Sequence, residues 1–474
     1  MSSPGSGTRH RRPALHEGPR AQWPARPARA DPGHGGRRGG VRLAPRRHAE
    51  RRNTPGASAG AALASANGPS ELSGERVSKT LLSVVTGNTP QSRGELVDHV
   101  LRTLPDSVVL SVSLHGEEEG YPVVQRFLTG TGHHLSETTV RGATGAPAVI
   151  VRQDLLSLAR ASRHPHLVLT LSDEVDTLPF LAELWRKSLS DSALDDHYTP
   201  GPVLTGIEPT VLLADVGCVH SAVRKWSGWD RGRPITRAEA AARQVETANA
   251  LVVTAPHDTR GALTDGVAAL LGHLNRTAAC LVLPSAPAAE AVSGLPSALF
   301  EPGVRCGPDD WLTRLDAVGV PHTPSGTGGG VTSVLWRARR PVHPERLADT
   351  LGAVLPGVVR GHGHLWLSSR PASVITWRSA GAHLELREAG HWLEDTTAHA
   401  AWRAVSPQRR TLASWYWDPY YGERRNEITF TGIDLDTSHL NETLDATLLS
   451  DEELSWGPEG WGAVHDPLFS ADPQ

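Results

Sequence analysis

Apolar runs of strand length alternate with helical patterns of apolar residues between residue 76 and about residue 290. Such alternation is typical of a parallel sheet whose faces are covered by helices. The helical patterns cover Gln153–Ser162, Thr177–Ser188 and Ile235–Asn249. The predicted strands are Leu81–Val85, Ser107–Ser113, Ala148–Val151, His166–Leu171, Thr210–Asp215, Ala250–Thr254 and Ala279–Leu283. The sequence therefore predicts an α/β domain over residues 76–290.

The first predicted strand leads directly into a loop and a helix. Leu81–Val85 is apolar and rich in β-branched residues, and the loop opens on Gly87. From Glu95 onward, apolar residues recur at the spacing of one helix face. A strand, a glycine and the start of a helix form the layout of a phosphate-binding loop. The domain is therefore predicted to have a P-loop NTPase-like sheet.

A smaller α+β domain is predicted over residues 331–450. A Gly-rich spacer ends the preceding segment, 291–330, which is predicted to be a linker. One helix of about ten residues is predicted from Pro344, because proline is favoured at the first helical position, and another near Ser438–Leu448. Residues 451–474 are predicted to be a tail. The predicted strands are Val331–Ala338, Val358–Arg360, His364–Ser368, Val374–Ser379, His383–Glu388 and Glu427–Ile433.

The formal net charge of −4 gives no reason to expect one strongly charged partner. It conceals a first segment, residues 1–75, that is rich in Arg, Gly and Pro and poor in acids. Such a composition cannot bury a core and predicts a disordered extension. This extension is either a basic arm that binds RNA or a solvated stretch from an over-extended translation start. We favour the second interpretation.

Three cysteines, Cys218, Cys280 and Cys306, are widely spaced and form no disulfide or zinc-ribbon pattern. This usage is typical of a reducing compartment, so a cytoplasmic protein is expected. The sequence has no apolar run of 18 residues, and no membrane partner is expected. Nothing in the sequence predicts specific DNA binding.

The second domain resembles a known family. The resemblance rests on runs that surround the predicted helix and strands, namely Arg340-Pro341-Val342-His343-Pro344-Glu345-Arg346-Leu347, Gly361-His362-Gly363-His364-Leu365-Trp366-Leu367 and Trp377-Arg378-Ser379-Ala380-Gly381. These runs resemble the C-terminal domain of CobW-family proteins. The resemblance implies that a P-loop GTPase domain precedes this domain, with GTP and Mg²⁺ as cofactors. It also implies that the protein handles zinc, as family members often do as metallochaperones.

The C-terminal part resembles an actinobacterial CobW-like subgroup. The residues that carry this similarity are Leu412-Ala413-Ser414-Trp415-Tyr416-Trp417-Asp418 and Leu449-Ser450-Asp451-Glu452-Glu453-Leu454. Members of the subgroup are described as ribosome hibernation factor-recruiting proteins that act when zinc is scarce. The resemblance thus implies the ribosome, a hibernation factor or both as partners.

The nucleotide motifs of the family are degenerate in this chain. Its phosphate loop, roughly G-F-L-G-A-G-K-T-T, aligns with Gly87-Asn88-Thr89-Pro90-Gln91-Ser92-Arg93-Gly94-Glu95. Gly87 is kept, Arg93 replaces the lysine, and Gly94 replaces the hydroxyl that binds Mg²⁺. Only Asp258 remains of the guanine-reading N-K-x-D motif. Arg93 is either a residual phosphate contact or an ordinary surface arginine, and the second interpretation is favoured.

The metal and interface candidates lie mainly in the second domain. The family's zinc-binding C-x-C-C motif has no counterpart before Gln153, which leaves a thiolate zinc site without ligands. His362 and His364 are the remaining metal candidates, with strand-edge histidines as the alternative. Aromatic residues crowd the last quarter of the chain and are candidate interface anchors, namely Trp415, Tyr416, Trp417 and Trp456.

These observations favour a CobW-like adaptor in the response to zinc limitation, without efficient GTP hydrolysis, that recruits a hibernation factor to ribosomes. One alternative is a GTP-hydrolysing metallochaperone for zinc or cobalt that tolerates a divergent loop. Another is a binding module that is tethered to RNA through residues 1–75. A catalytic residue is not identified, because no carboxylate pair or nucleophile motif has a suitable spacing.

Overall fold

The structure is a computed structural model that describes residues 79–469, apart from 117–119, 131–140, 162–163, 188–192, 229–231, 256–261, 285–293, 302–306, 320–328 and 394–398. The described residues lie within one unit, Glu75–Gln474. Among them, no helix is both long enough and apolar enough to cross a membrane. The predicted extension, residues 1–75, lies outside the described residues.

The first domain contains ten strands and seven helices among the described residues. The strands are β1 (Thr80–Gly87), β2 (Val108–His115), β3 (Val123–Gly130), β4 (Arg141–Thr144), β5 (His166–Leu171), β6 (Tyr198–Ile207), β7 (Ala222–Lys225), β8 (Arg233–Thr236), β9 (Ala250–Ala255) and β10 (Ala279–Pro284). The helices are α1 (Pro90–Thr103), α2 (Pro147–Ala161), α3 (Thr177–Leu184), α4 (Pro209–Val216), α5 (Arg237–Thr247), α6 (Ala262–Leu274) and α7 (Pro308–Leu315).

Eight of these strands form one sheet in the order β10-β9-β6-β1-β5-β2-β3-β4. The strands from β10 to β2 are parallel, and β3 and β4 add an antiparallel edge. Strand β1 lies inside the sheet and is buried on both faces. Val85 packs with Leu96 and Val100 of α1, whereas Val84 packs on the other face with Leu155 of α2. Burial on both faces is the reason that β1 is a continuous apolar run.

The second domain contains a five-stranded antiparallel sheet in the order β11-β15-β12-β13-β14. Its strands are β11 (Val331–Ala338), β12 (Val358–Leu365), β13 (Ser373–Ala380), β14 (His383–His391) and β15 (Asn426–Ile433). Its helices are α8 (Pro344–Val354), α9 (His399–Ala404), α10 (Pro407–Trp415), α11 (Thr437–Asp445), α12 (Asp451–Ser455) and α13 (Gly457–Trp461). The predicted fold class, a parallel α/β domain followed by a smaller α+β domain, is confirmed.

Three strand predictions were wrong. Ala148–Val151 belongs to α2 and Thr210–Asp215 belongs to α4, because a short apolar run does not distinguish a buried strand from a buried helix. Strand β6, which lies inside the sheet between β9 and β1, was missed because it contains two prolines, Pro200 and Pro202. In the second domain, the strand predicted at His364–Ser368 is instead the end of β12 and the bend after it.

Parts of the predicted linker and the predicted tail are folded. Helix α7 lies within 291–330, and its Trp311 is buried in the core of the first domain against Trp185. Helices α12 and α13 lie within 451–474, and Trp461 is buried against Trp366 of the second domain. Buried apolar side chains account for both differences: Trp311 is joined by Leu295, Phe300 and Val318 in the predicted linker, and Trp461 is buried in the predicted tail.

A buried cluster of ion pairs joins the two domains. Arg360 on β12 is 3% exposed, and its guanidinium bonds both oxygens of Glu246 at 2.7 and 2.9 Å and also bonds Glu239. Both carboxylates belong to α5. Burial raises the pKa of Glu239, but Arg360 and Arg243 outweigh it and hold that pKa at about 2. Arg243 also bonds Asp176, just before α3, at 2.7 Å. The cluster thus runs from the parallel sheet to the second domain.

Replacing Arg360 should destabilise the protein strongly. Arg360→Ala leaves the buried Glu239 without its partner across the domain interface, and removal of one member of a buried pair costs about 3–5 kcal/mol. Lys187, exposed and paired with the partly exposed Asp195 at 3.0 Å, provides a control whose change to Ala should cost less than about 1 kcal/mol. Urea unfolding of both variants measures the difference. Equal costs for the two variants would contradict the inferred role of the cluster.

The stability of the first domain should fall in mild acid because of His166. This side chain is buried on β5 and hydrogen bonds to Ser107 Oγ at 2.6 Å and Ser83 Oγ at 2.8 Å. Burial lowers the pKa of His166 from 6.5 to about 4. The unfolded chain therefore takes up the proton first, so stability is lost as the pH falls from about 6.5 toward about 4.

Protonation of His166 should lower the free energy of unfolding by about 3 kcal/mol between pH 6.5 and pH 4. His166→Gln removes the titrating group, so its free energy of unfolding should change less between pH 7 and pH 4 than that of the wild type. Urea unfolding at a series of pH values gives both curves. If the two curves remain parallel, His166 does not titrate as its burial indicates.

Candidate functional site

The turn between β1 and α1 occupies the position of the predicted phosphate loop. Strand β1 ends at Gly87 and α1 begins at Pro90, so only Asn88 and Thr89 connect them. Thr89 and Ser92 cap the helix reciprocally: Ser92 N donates to Thr89 Oγ1 at 3.0 Å, and Thr89 N donates to Ser92 Oγ at 3.2 Å. This is a capping box that satisfies the helix end with the chain's own side chains.

The turn is also bound tightly to the neighbouring strand β6. Asn88 exchanges two hydrogen bonds with the backbone of Glu208, at 2.8 and 2.9 Å, and Asn88 N donates to Gly206 O. A Cβ at Gly206 would lie 2.4 Å from Ser92 O, and one at Gly87 would lie 2.8 Å from Arg93 N. Glycine is therefore required at both positions by close backbone packing rather than by a phosphate.

This turn does not fit a bound triphosphate. A phosphate loop binds through backbone N–H groups that converge on the anion. Here Pro90 has no N–H, Ser92 N is bonded to Thr89, and Arg93 N donates to Thr89 O inside the helix. Gly94 offers no hydroxyl to Mg²⁺ and is exposed on α1. The turn as it stands therefore offers no converging set of free N–H groups. Asp258 lies outside the described residues.

Arg93 faces a cavity between α1 and the sheet instead of a phosphate loop. Its closest carboxylate is Asp173, with Nη1 and Oδ1 4.0 Å apart. The cavity has a volume of about 350 Å³ and lies toward the carboxyl ends of β2 and β5. It is lined by Pro90, Arg93, Gly94, Val97, Asp98, Ser111, Val112, Ser113, Phe127, Thr170 and Ser172. We call it the α1 pocket. Of these lining residues, sequence analysis identified Arg93 and Gly94 but not the hydroxyl-bearing residues Ser111, Ser113, Thr170 and Ser172.

An acidic segment, residues 173–176, follows β5 and leads from the α1 pocket to the buried cluster of ion pairs. Lys225 Nζ donates to the backbone oxygen of Asp173, and burial lowers the pKa of Lys225. The segment pairs with Trp226, whose N donates to Glu174 O at 2.9 Å and whose O accepts from Asp176 N at 3.0 Å. These bonds fix the backbone between Ser172 and α3.

The two candidate histidines lie on β12 in different surroundings. His364 is fully buried, with Nε2 3.7 Å from Glu427 Oε2, and that carboxylate already pairs with Arg425 at 2.8 Å. Burial, together with nearby Arg425 and Arg409, holds the pKa of His364 well below its usual value. His362 is half-buried at the domain interface, where burial also lowers its pKa. Both rings are therefore neutral at pH 7.

A zinc centre does not form among the described residues, where no three His, Cys, Asp or Glu side chains come together as metal ligands. Cys218 and Cys280 are unpaired thiols on different elements, and Cys306 lies outside the described part of the chain. Zinc sites with fewer than three protein ligands are not typical. The residues described thus do not fit a resident zinc ion.

The four aromatic candidates divide into two pairs. Trp415 and Trp456 are 77% and 50% exposed. Tyr416 lies under the guanidinium of Arg425 at 4.2 Å, and Trp417 packs on Trp402 at 6.0 Å, so both belong to the internal packing. Tyr420, another aromatic residue of the last quarter of the chain, is 71% exposed. Trp415, Tyr420 and Trp456 are large, exposed aromatic side chains of the kind favoured as interface anchors, and we call them the aromatic surface residues.

Comparison with known proteins gives one domain match and several similarities that cover about 70% of the chain. Residues 331–448 match the model of the cobalamin synthesis protein cobW C-terminal domain. The chain is 28% identical over 344 residues to a zinc chaperone of Mycobacterium tuberculosis, which covers 70% of this chain and 80% of that protein. It is 26% identical over 344 residues to zinc-regulated GTPase metalloprotein activator 1 of Dictyostelium discoideum, with 70% of each chain covered.

A zinc-bound triple mutant of YjiA GTPase is a similar solved structure, with 12% identity and a TM-score of 0.30 over 78% of this chain and 100% of that one. The expected resemblance of the second domain is confirmed by the domain match, which begins at the first residue of β11. Residues 331–448 therefore form a CobW C-terminal domain.

Proposed function

We propose that this protein serves zinc homeostasis as a binding protein and does so without efficient GTP turnover. The names of its relatives, a zinc chaperone and a zinc-regulated GTPase activator, support the link to zinc. The self-capped turn between Gly87 and Pro90 carries the second part of the proposal. Action by binding is favoured because the described residues lack a catalytic constellation at the turn.

Phosphoryl transfer depends on positioning and charge neutralisation by a phosphate cradle, a lysine and Mg²⁺. In this chain, the cradle positions are occupied by a capping box, the lysine position holds Arg93, and the metal-ligand position holds Gly94. Each change removes a separate contribution to transition-state stabilisation. Opening the turn for a nucleotide would also break the bonds between Asn88 and Glu208.

The competing function is a GTP-dependent metallochaperone, and the names of the relatives favour it. A fluorescent GTP analogue, titrated with and without Mg²⁺, discriminates between the two functions. We expect no saturable binding at micromolar concentrations, because the first helical turn offers no cradle of free N–H groups.

The variants for this titration are Arg93→Ala and, as a control at the exposed far end of the same helix, Arg102→Ala. Micromolar binding that depends on Mg²⁺, is lost in Arg93→Ala and is kept in Arg102→Ala would overturn the proposal and establish the GTP-dependent function.

The finer proposal is that the protein recruits a hibernation factor to ribosomes when zinc is scarce. Its support is the sequence resemblance of the C-terminal part together with the exposure of the aromatic surface residues. Trp415 and Tyr420 lie at the end of α10 and in the turn that follows it. Trp and Tyr in such positions often carry a large share of the binding energy of a protein interface.

Changing Trp415 and Tyr420 to Ala should weaken co-sedimentation with ribosomes from zinc-limited cells by about tenfold or more, since hot-spot residues contribute at least about 2 kcal/mol. Tyr121→Ala, which alters an exposed aromatic residue of the first domain, is the matched control. Sucrose-gradient sedimentation with quantitative blotting measures the effect.

Absence of the wild-type protein from ribosomal and hibernation-factor fractions would reject this partner. A variant without residues 1–75 distinguishes the RNA-tethering alternative: loss of association in that variant alone would favour a basic arm over the aromatic surface residues.

A further inference from the structure

Strand β10 forms one edge of the parallel sheet and is bonded to a neighbouring strand on one side only. It is the outermost strand in the sheet order, and it pairs with β9 from Ala279 to Pro284. An edge strand presents a row of N–H and C=O groups that have no backbone partner. Among the described residues, no strand pairs with this outer side of β10. The sheet can therefore accept a further strand here.

One face of β10 is covered, and the other is open. Leu281 and Leu283 pack against the core that contains Phe300. Val282 points to the opposite face and is 53% exposed, and Cys280 on the same face is exposed as well. Helix α6 covers this face of the neighbouring β9 but does not extend over β10. The strand thus presents both a free backbone edge and an open apolar face.

Strand β10 also lacks the charged residues that usually protect the edge of a sheet. Natural proteins place charges on edge strands, where they prevent pairing with another chain. No charged residue occurs from Thr277 to Pro284. The other edge strands that the structure describes all carry charged residues, namely Arg141 on β4, Arg224 and Lys225 on β7, Arg233 on β8, Arg337 on β11, and Glu385, Arg387 and Glu388 on β14. The uncharged edge of β10 is therefore unusual within this molecule.

This edge is complementary to a second copy of itself. Two uncharged strands meet without like-charge repulsion, and antiparallel pairing about a two-fold axis gives both copies the same hydrogen bonds.

The two ends of β10 carry opposite charges. Arg276, which is exposed, precedes the strand. Asp265, exposed in the first turn of α6, lies toward the other end, because a helix between two parallel strands runs back against them. Two-fold antiparallel pairing brings the Arg276 end of each copy beside the Asp265 end of the other. The charges at the ends of the strand thus also favour a second copy as the partner.

We propose that β10 is the interface of a symmetric dimer, in which the strands of two copies pair antiparallel in a register centred on Leu281. This register places Cys280 of each copy opposite Val282 of the other, and directly opposed side chains lie on the same face of a sheet. The two eight-stranded sheets then form one continuous sheet. Assembly ends at two copies because the pairing uses the β10 edge of both.

Analytical ultracentrifugation of the full chain under reducing conditions, over the micromolar range, tests for this dimer. We expect a monomer–dimer equilibrium. Val282→Lys should weaken dimerisation about tenfold or more, because it places an ammonium group at the apolar edge. Val123→Lys is the matched control: Val123 is 38% exposed, but its strand, β3, is already paired with β2 and β4. This variant should dimerise like the wild type.

The thiol of Cys280 reports on the same interface in the wild-type protein. It is exposed in a single copy, and the second copy covers it in the dimer. The rate of its alkylation, followed by mass spectrometry of its peptide, should therefore fall with rising protein concentration in proportion to the monomeric fraction. Cys218, which follows α4, is the internal reference, and its rate should not depend on concentration.

A monomer at every concentration would overturn the proposal. A dimer that persists in Val282→Lys would also overturn it, as would an alkylation rate of Cys280 that is independent of concentration. Growth beyond two copies would exclude the two-fold pairing. Should Val282→Lys fail to fold, the alkylation of the wild type still decides. The proposal is separate from the zinc-related function, because the dimer requires no metal, nucleotide or ribosome.

Discussion

The docking of the two domains depends on the buried guanidinium of Arg360. It lies on the central strand of the second sheet and bonds two carboxylates of α5, while Arg243 of the same helix extends the cluster to Asp176 beside the parallel sheet. Desolvation of so many charges offsets much of their attraction, so the cluster adds little net stability compared with apolar packing. Its effect is on geometry: any other rotation of the sheets would leave a buried charge unpaired, which is far more costly.

The turn between β1 and α1 illustrates a second constraint: the first N–H groups of a helix need hydrogen-bond acceptors from outside the helix. In a nucleotide-binding protein, the ligand meets that need when it accepts hydrogen bonds from the first N–H groups. In this chain, the side chain of Thr89 accepts a hydrogen bond from Ser92 N, and Pro90 has no N–H that needs an acceptor. Asn88 bonds the turn to the backbone of Glu208, just after β6. The strand–turn–helix unit therefore keeps its architecture without a nucleotide.

The sequence predicted the fold class because long apolar runs such as β1 and helical patterns such as α5 agree with their tertiary surroundings. It failed where local and tertiary preferences conflict. Strand β6 lies in the centre of the sheet despite Pro200 and Pro202, and its register with β1 shifts between Leu82 and Val84. In the predicted linker and in the predicted tail, helices pack on the two domains, and Trp311 and Trp461 are buried there. Of the candidate site, Arg93 was predictable from its alignment, but the hydroxyls of the α1 pocket were not. The only signal was the alternation of Ser111 and Ser113 with apolar residues along β2.

The segment between β5 and α3, which forms part of the wall of the α1 pocket, is held by the cluster of ion pairs. Ser172, on its wall, is four residues before Asp176, which the cluster of ion pairs holds in place, and the intervening Glu174 is bonded to Trp226. The segment is thus fixed at both ends, and its backbone has little freedom to shift relative to α5. Arg243, which shares Glu239 with Arg360, thus connects this segment to the buried cluster at the interface with the second domain.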